Sequence, residues 1–160
     1  SSANRWMEQQ QAMEASSAAL AKQEASKADA SPKPVSTPGK ISIPADSVGQ
    51  FSSAFKLNGQ TVIGMVDTGA TYVAINESIA RQIGIPGHRL HYDYDVNTAN
   101  GKIKAAHIML DRVEIGTLKV RNVEAFVLKD KSLDSMLIGM SFLQKLKSFT
   151  VKDGTLVLAN

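Results

Sequence analysis

The sequence contains no cysteine, and it has no long apolar run. Without cysteine there is no disulfide, no thiolate metal site and no cysteine nucleophile. A membrane helix needs roughly 20 consecutive apolar residues, and no segment approaches that length. An excess of one charge is also lacking, because 18 basic and 15 acidic residues leave a net charge of +3 without a dense basic block. A nucleic-acid partner therefore gains little support.

The first 30 residues differ in composition from the rest of the chain. They are rich in Ala, Gln, Glu, Lys and Ser and contain few large apolar residues, so we expect a helical or disordered stalk without a core of its own. Pro32, Pro34 and Pro38 follow closely, and this density of proline favours a semi-extended linker. The sequence thus predicts a stalk and Pro-rich linker over residues 1–39 and a folded domain over residues 40–160.

The domain alternates short apolar segments with tight-turn dipeptides. These dipeptides tolerate positive φ and predict hairpins; they are Asn58-Gly59, Asn100-Gly101, Gly116-Thr117 and Asp153-Gly154. Two short helices interrupt the strands, one from Asn76 to Gly84 and the other from Ser141 to about Lys147. The predicted fold class is all-β and mostly antiparallel, with one or two short helices.

One carboxylate, Asp67, follows directly on an apolar segment over residues 61–66. That segment predicts a strand buried on both faces. A carboxylate at the end of a buried strand is costly to ionise, so its presence suggests a function. Gly69 permits a close backbone approach, Thr68 offers a hydroxyl, and Ala70 is small. These residues are the candidate catalytic loop.

The segment Val66-Asp67-Thr68-Gly69-Ala70-Thr71 resembles the active-site signature of retropepsin-like aspartic proteases. In that family two apolar residues and a glycine come later, and Leu137-Ile138-Gly139 matches them here. A hairpin flap lies between the two motifs, and residues 96–103 match it. The similarity covers residues 48–158 and is nearest to the bacterial membrane-anchored branch, although Gln50 stands where that branch would have His.

The resemblance implies a retropepsin-like half-barrel and a role for each matching residue. Asp67 would be catalytic, and no metal or cofactor would be needed. The other implied site residues are Thr68, Gly69 and Ala70 in the active-site loop, Thr98, Ala99, Asn100 and Gly101 in the flap, and Leu137, Ile138 and Gly139 as loop support. The walls of the substrate pocket are expected near residues 70–73, 97–104 and 136–138.

The chemistry requires two carboxylates. Hydrolysis of a peptide by water needs a base for the water and an acid for the carbonyl oxygen, and two carboxylates that share one proton supply both. The chain has a single Asp-Thr-Gly, so the second carboxylate is expected from another copy, with Asp67 facing Asp67 across a two-fold axis. We expect a homodimeric aspartic endopeptidase acting on extended peptides or proteins; the alternative is a catalytically silent module for dimerisation or peptide binding.

Other groupings of polar residues carry less weight. His91, Asp93 and Asp95 have the residue types of a metal site, but Tyr92 and Tyr94 alternate with them as in an exposed strand or loop, so no metal site is predicted. No Ser-His-Asp set is evident. The stalk and the resemblance together imply an upstream inner-membrane anchor absent from this chain, with the domain in the periplasm.

Overall fold

The computed structural model describes residues 33–98 and 101–160, with the backbone alone at Thr98. Within these ranges the chain forms eleven strands, two short helices and two single 3₁₀ turns. The strands are β1 Val35–Thr37, β2 Lys40–Pro44, β3 Ser52–Leu57, β4 Gln60–Val66, β5 Val73–Asn76, β6 Tyr94–Thr98, β7 Gly101–Ile115, β8 Leu118–Leu128, β9 Met136–Ile138, β10 Ser148–Lys152 and β11 Thr155–Ala159. The helices are α1 Glu77–Gln82 and α2 Met140–Leu143, and the 3₁₀ turns are Gly87–Arg89 and Asp130–Ser132.

The strands form two sheets. The smaller sheet has the order β1-β2-β11-β10, and its described pairs are antiparallel. The larger sheet has the order β3-β4-β9-β5-β8-β7-β6, and it closes on itself because β3 also pairs with β7. Two of its pairs, β4 with β9 and β5 with β8, are parallel. The mostly antiparallel all-β fold predicted from the sequence is confirmed.

The hairpin turns lie where the turn dipeptides predict them. Asn58 and Gly59 both have positive φ, at 49° and 90°, and Asp153 and Gly154 repeat this pattern at 53° and 72°. The Gly116-Thr117 turn joins β7 to β8. At the fourth site the described pairing of β6 with β7 ends at Thr98 and Gly101, and residues 99–100 lie outside the described part of the chain.

The first helix is confirmed. It has the predicted N-cap, Asn76, and it ends at Gln82, two residues before the predicted Gly84. The Asn76 side chain accepts a hydrogen bond from the backbone N–H of Ile79 at 2.9 Å, and Gly84 follows the helix with a φ of +96°. The second helix is shorter than predicted and begins one residue earlier, at Met140. Among the described residues, no helix combines the length and the apolar character of a membrane-crossing segment.

The core lies inside the closed sheet and extends under the small one. Phe55 and Phe142 are fully buried and meet edge to face with ring centroids 6.0 Å apart. Full burial of a side chain of this size contributes about 1.5–3 kcal/mol. Strand β4 is not buried on both faces, contrary to the sequence prediction, because Val62 and Val66 face the core while Ile63 is 63% exposed. A run of apolar residues cannot reveal this alternation, since both faces carry the same residue class.

The linker prediction is wrong for Val35–Thr37, which form β1 and pair with β2. The Thr117 hydroxyl fixes this strand, because it donates to the Thr37 carbonyl at 2.9 Å and accepts from the Gly39 N–H at 3.0 Å. The intervening Pro38-Gly39 pair, with Gly39 at a φ of +74°, makes the tight turn. The predicted stalk over residues 1–32 lies outside the described residues.

We expect a protein that starts at Lys40 to be less stable than one that starts at Lys33. Without β1, its ladder with β2 is lost, and Thr117 loses the carbonyl of Thr37. At roughly 0.5–1.5 kcal/mol per hydrogen bond, the free energy of unfolding should fall by about 1–3 kcal/mol. Urea denaturation of the two truncated proteins measures the difference, and identical unfolding curves would show that β1 is dispensable.

Candidate active site

Asp67 is held at the end of β4 by the neighbouring strand β9. Val66 pairs with Ile138 in the parallel ladder, and the Asp67 N–H then donates to the Ile138 carbonyl at 2.9 Å. On the other side, the Val66 N–H donates to the Phe51 carbonyl at 2.8 Å. The backbone of Asp67 is thus fixed from both neighbouring segments, although β9 lies about 70 residues further along the chain.

The loop after Asp67 is a tight turn that uses the carboxylate as an acceptor. The Gly69 N–H donates to Oδ1 of Asp67 at 2.9 Å, and the Ala70 N–H donates to the Asp67 carbonyl at 3.1 Å. Thr68 and Gly69 are exposed, while Asp67 is half-buried. The turn therefore orients the carboxylate and presents the Thr68-Gly69 edge at the surface of the chain.

Gly139 lies where two loops touch, and a side chain there would not fit. A Cβ built on Gly139 would stand 2.7 Å from the Ala70 carbonyl oxygen and closer still to that of Tyr72. Because the backbones can approach, the Met140 N–H donates to the Ala70 carbonyl and the Ser141 N–H to the Thr71 carbonyl, both at 2.8 Å. Of the three predicted support residues, Ile138 and Gly139 thus meet the loop through their backbones, and so does the next residue, Met140.

Ser141 also belongs to the candidate site, although its position in the sequence predicted only the start of a helix. Its hydroxyl donates to the Glu124 carbonyl at 2.7 Å and accepts from the Val73 N–H at 3.0 Å. It therefore joins α2 to both β8 and β5, next to the candidate catalytic loop. No sequence pattern signals a contact between elements this far apart in the chain.

An apolar surface lies on the same face of the sheet as Asp67. Met65 precedes Asp67 by two residues and so shares its face, and Met65 pairs with Leu137, which in turn pairs with Ala74. Val96 of β6 and Ile103 of β7 pack against the same cluster. We call these five residues the cleft cluster. The strand alternation that identifies Met65 was available in the sequence, two positions before the candidate catalytic residue.

Within the predicted pocket walls, neighbouring residues point to opposite faces of the sheet. Leu137 belongs to the cleft cluster, but Met136 and Ile138 on either side of it are fully buried in the main core. Likewise Val73 points into the main core, and it is Ala74 that shares a face with Leu137. That these segments form the walls of a substrate pocket stays a prediction. The sequence did not indicate which residues of these short strands face the cleft and which face the core.

The hairpin of β6 and β7 carries the predicted flap residues. Thr98 and Gly101 form its last described pair, whereas Ala99 and Asn100 lie outside the described residues. Asp95 and Lys104 bridge the two strands with a 2.8 Å ion pair, and this lysine lowers the pKa of the Asp95 carboxyl group. Among the described residues, no three His, Asp or Glu side chains are grouped so that they could hold a metal ion.

Comparison with known proteins identifies relatives of this fold and sequence. The family described as gag-polyprotein putative aspartyl protease matches residues 53–145. An uncharacterized protein of Sinorhizobium is 34% identical over 133 residues, which cover 76% of this chain and 57% of that protein. One from Rickettsia prowazekii is 36% identical over 120 residues, covering 75% and 51%. The chain thus spans about half the length of these curated relatives.

Solved structures show the same fold. A retropepsin-like aspartic protease from Rickettsia conorii is 35% identical and superimposes with a TM-score of 0.68, over 79% of this chain and 95% of that one. The EIAV protease, solved with an inhibitor, is 14% identical and superimposes with a TM-score of 0.53, over 64% and 93% of the two chains. The latter likeness concerns the fold alone.

We expect Gly139→Ala to destabilise the protein and to displace the catalytic loop. The added methyl group would press on the backbone carbonyls of Ala70 and Tyr72, and the Ala70 carbonyl cannot move away without disturbing its hydrogen bond from the Met140 N–H. Forced contacts of this kind typically cost about 1–3 kcal/mol. Gly87→Ala is the matched control, because a Cβ at Gly87 meets no atom within 4 Å. Thermal unfolding compares the two variants, and equal midpoints would contradict a close approach at Gly139.

Proposed function

Because the chain belongs to the retropepsin-like aspartic protease family, we propose that it is an aspartic endopeptidase with Asp67 as its catalytic residue. The position of Asp67 carries the proposal. It follows a central strand, its carboxylate is oriented by its own turn, and its backbone is fixed by the Ile138 carbonyl. Asp, Thr and Gly of the family's signature are all present in this loop.

In the proposed reaction, two Asp67 carboxylates hold one proton between them. The ionised carboxylate takes a proton from water, whose oxygen attacks the peptide carbon, and the protonated carboxyl gives its proton to the carbonyl oxygen. The first carboxyl then passes the proton taken from water to the amide nitrogen as the C–N bond breaks, and a hydroxyl of the tetrahedral intermediate returns its proton to the other carboxylate. The products are an amine and a carboxylic acid, and the two Asp67 side chains again share one proton. One carboxylate cannot perform both roles at once, and the chain has a single Asp-Thr-Gly.

The second carboxylate would come from a second copy of the chain, related by a two-fold axis through the catalytic loops. The exposed Thr68 and Gly69 are available for contact at that axis. Both edges of β11 are already hydrogen-bonded within the chain, to β2 and to β10, so this strand has no free edge for a second copy. The dimer contact is therefore assigned to the catalytic loops and not to pairing through β11.

The cleft cluster suggests how a substrate would bind. An extended peptide lying across Asp67 would meet Met65, Ala74 and Leu137 on the floor and Val96 and Ile103 on the hairpin. Extended peptides bind such grooves through backbone hydrogen bonds, with alternate side chains entering pockets. Since the cluster is apolar throughout, we propose that the residues flanking the cleaved bond are apolar.

The alternative function is a silent module of the same fold that dimerises or binds peptides. Such a module would not need Asp67, whereas this chain keeps the carboxylate and the backbone contacts that orient it. Anchoring by an upstream membrane helix and a periplasmic location stay predictions that rest on the family resemblance.

We expect Asp67→Asn to reduce peptidase activity at least about a hundredfold, because an amide keeps the shape of the side chain but cannot take a proton from water. The measurement is cleavage of a casein-like substrate, with and without a pepstatin-type inhibitor. Asp111→Asn is the matched control, since Asp111 is an exposed carboxylate on β7. A loss of less than tenfold in Asp67→Asn would leave the silent module as the better account.

We expect specific activity to fall on dilution, because each copy supplies half of the site. Where the dimer is mostly dissociated, the rate should vary with the square of protein concentration. The test measures specific activity across a dilution series and determines the oligomeric state of the same samples by sedimentation velocity. A sample that sediments as a monomer with undiminished specific activity would contradict the shared site.

A further inference from the structure

Four aromatic side chains form a continuous cluster on the outer face of the large sheet, beside the catalytic loop. Phe126 of β8 is at its centre, with ring centroids 5.0 Å from Tyr72, 5.4 Å from His107 and 5.5 Å from Tyr94. The three interplanar angles are 82°, 70° and 64° respectively, so the rings meet edge to face, an arrangement that attracts beyond simple burial. We call these four residues the aromatic cluster.

The two outer tyrosines belong to different functional segments. Tyr72 lies five residues after Asp67, and its carbonyl oxygen is the nearest atom to the position that a Cβ on Gly139 would take. Tyr94 is the first residue of β6 and so begins the hairpin. Phe126 contacts both rings, and it therefore links the catalytic loop to the start of the hairpin.

The hairpin leaves the sheet at this point. Strand β8 pairs with β7 as far as Ala106, which faces Val127. Beyond it, residues 101–105 of β7 pair with β6, from Gly101 opposite Thr98 to Ala105 opposite Tyr94. Residues 94–98 and 101–105 are therefore a two-stranded ribbon, and such a ribbon is marginally stable without further support. Val96 and Ile103 support it on the cleft side, and side chains at its base are placed to fix its angle to the sheet.

Neither tyrosine is needed to fill the core, since Tyr72 is 37% exposed and Tyr94 is 51% exposed. Their rings instead contact the edge or face of Phe126. We propose that the aromatic cluster holds the ribbon at a fixed angle to the catalytic loop, and that Tyr72 and Tyr94 are positioning residues for the reaction. The kinetic consequence of this inference rests on the proposed function, whereas its structural consequence does not.

The decisive variant is Tyr72→Ala, because Tyr72 is outside the ribbon and reaches it through Phe126. Hydrogen exchange of the backbone amides in residues 95–98 and 101–105 is measured in the uncleaved, substrate-free protein. Loss of the edge-to-face contact with Phe126 should speed this exchange about threefold to tenfold in Tyr72→Ala. Tyr94→Ala, which also loses a tilted contact with His107 at 5.7 Å, should speed it at least as much. The β10–β11 hairpin of the small sheet serves as an internal reference and should keep its wild-type exchange.

Three controls separate the ring contacts from general surface effects. Tyr72→Phe and Tyr94→Phe keep the rings and should exchange like the wild type. Met109→Ala removes a side chain, 47% exposed, two positions beyond His107 on β7, and should also leave the ribbon unchanged. Because both tyrosines contact Phe126, their effects should not be independent. The ribbon amides of the Tyr72→Ala/Tyr94→Ala double variant should exchange more slowly than the product of the two single-variant rate increases would predict.

Steady-state kinetics supply the second readout. A ribbon at the wrong angle loses substrate contacts, so Tyr94→Ala should raise KM about threefold to tenfold while kcat stays within about twofold. The inference is overturned if the ribbon amides of Tyr72→Ala exchange at the wild-type rate, or if exchange of the β10–β11 amides rises by the same factor. If Asp67→Asn keeps full activity while the exchange pattern holds, the proposed function fails and the aromatic cluster keeps its structural role.

Discussion

The site depends on the parallel pairing of β4 with β9. This short ladder joins Gly64, Met65 and Val66 to Met136, Leu137 and Ile138, two segments that are far apart in sequence. It places Asp67 opposite the Ile138 carbonyl and brings Gly139 against the loop that follows. Parallel pairing requires a long crossover connection, and here that connection contains the hairpin, β8 and α1. The candidate catalytic loop and the ribbon therefore both extend from one closed sheet.

The same ladder separates core from cleft. Along β4 and β9 alternate residues point to opposite faces, so Val66, Met136 and Ile138 enter the main core while Met65 and Leu137 join the cleft cluster. Gly64 fits this packing, because a Cβ there would collide with the Met136 side chain. A change of one residue in register would exchange the two faces and remove Asp67 from the cleft.

Much of this arrangement could be predicted from the sequence. The Asn-Gly and Asp-Gly turns, the Asn76 cap and the catalytic loop depend on local chemistry, in which a few adjacent residues decide the backbone. The contacts of Ser141 with Glu124 and Val73 could not be predicted, because they join elements that meet only in the folded chain. The assignment of Val35–Thr37 to a linker failed for a related reason: three prolines suggested an open segment, but Pro38 occupies a turn, where no ladder N–H is needed.

The central claim is that one active site contains Asp67 from two copies of the chain. It is tested most directly by mixing wild-type protein with a ninefold excess of Asp67→Asn, at a concentration where sedimentation shows the dimer. If partners exchange freely, only about one in ten wild-type chains keeps a wild-type partner, so activity per wild-type chain should fall to about one tenth. Activity that stays proportional to the wild-type protein present, in a mixture shown to contain mixed dimers, would contradict a shared site.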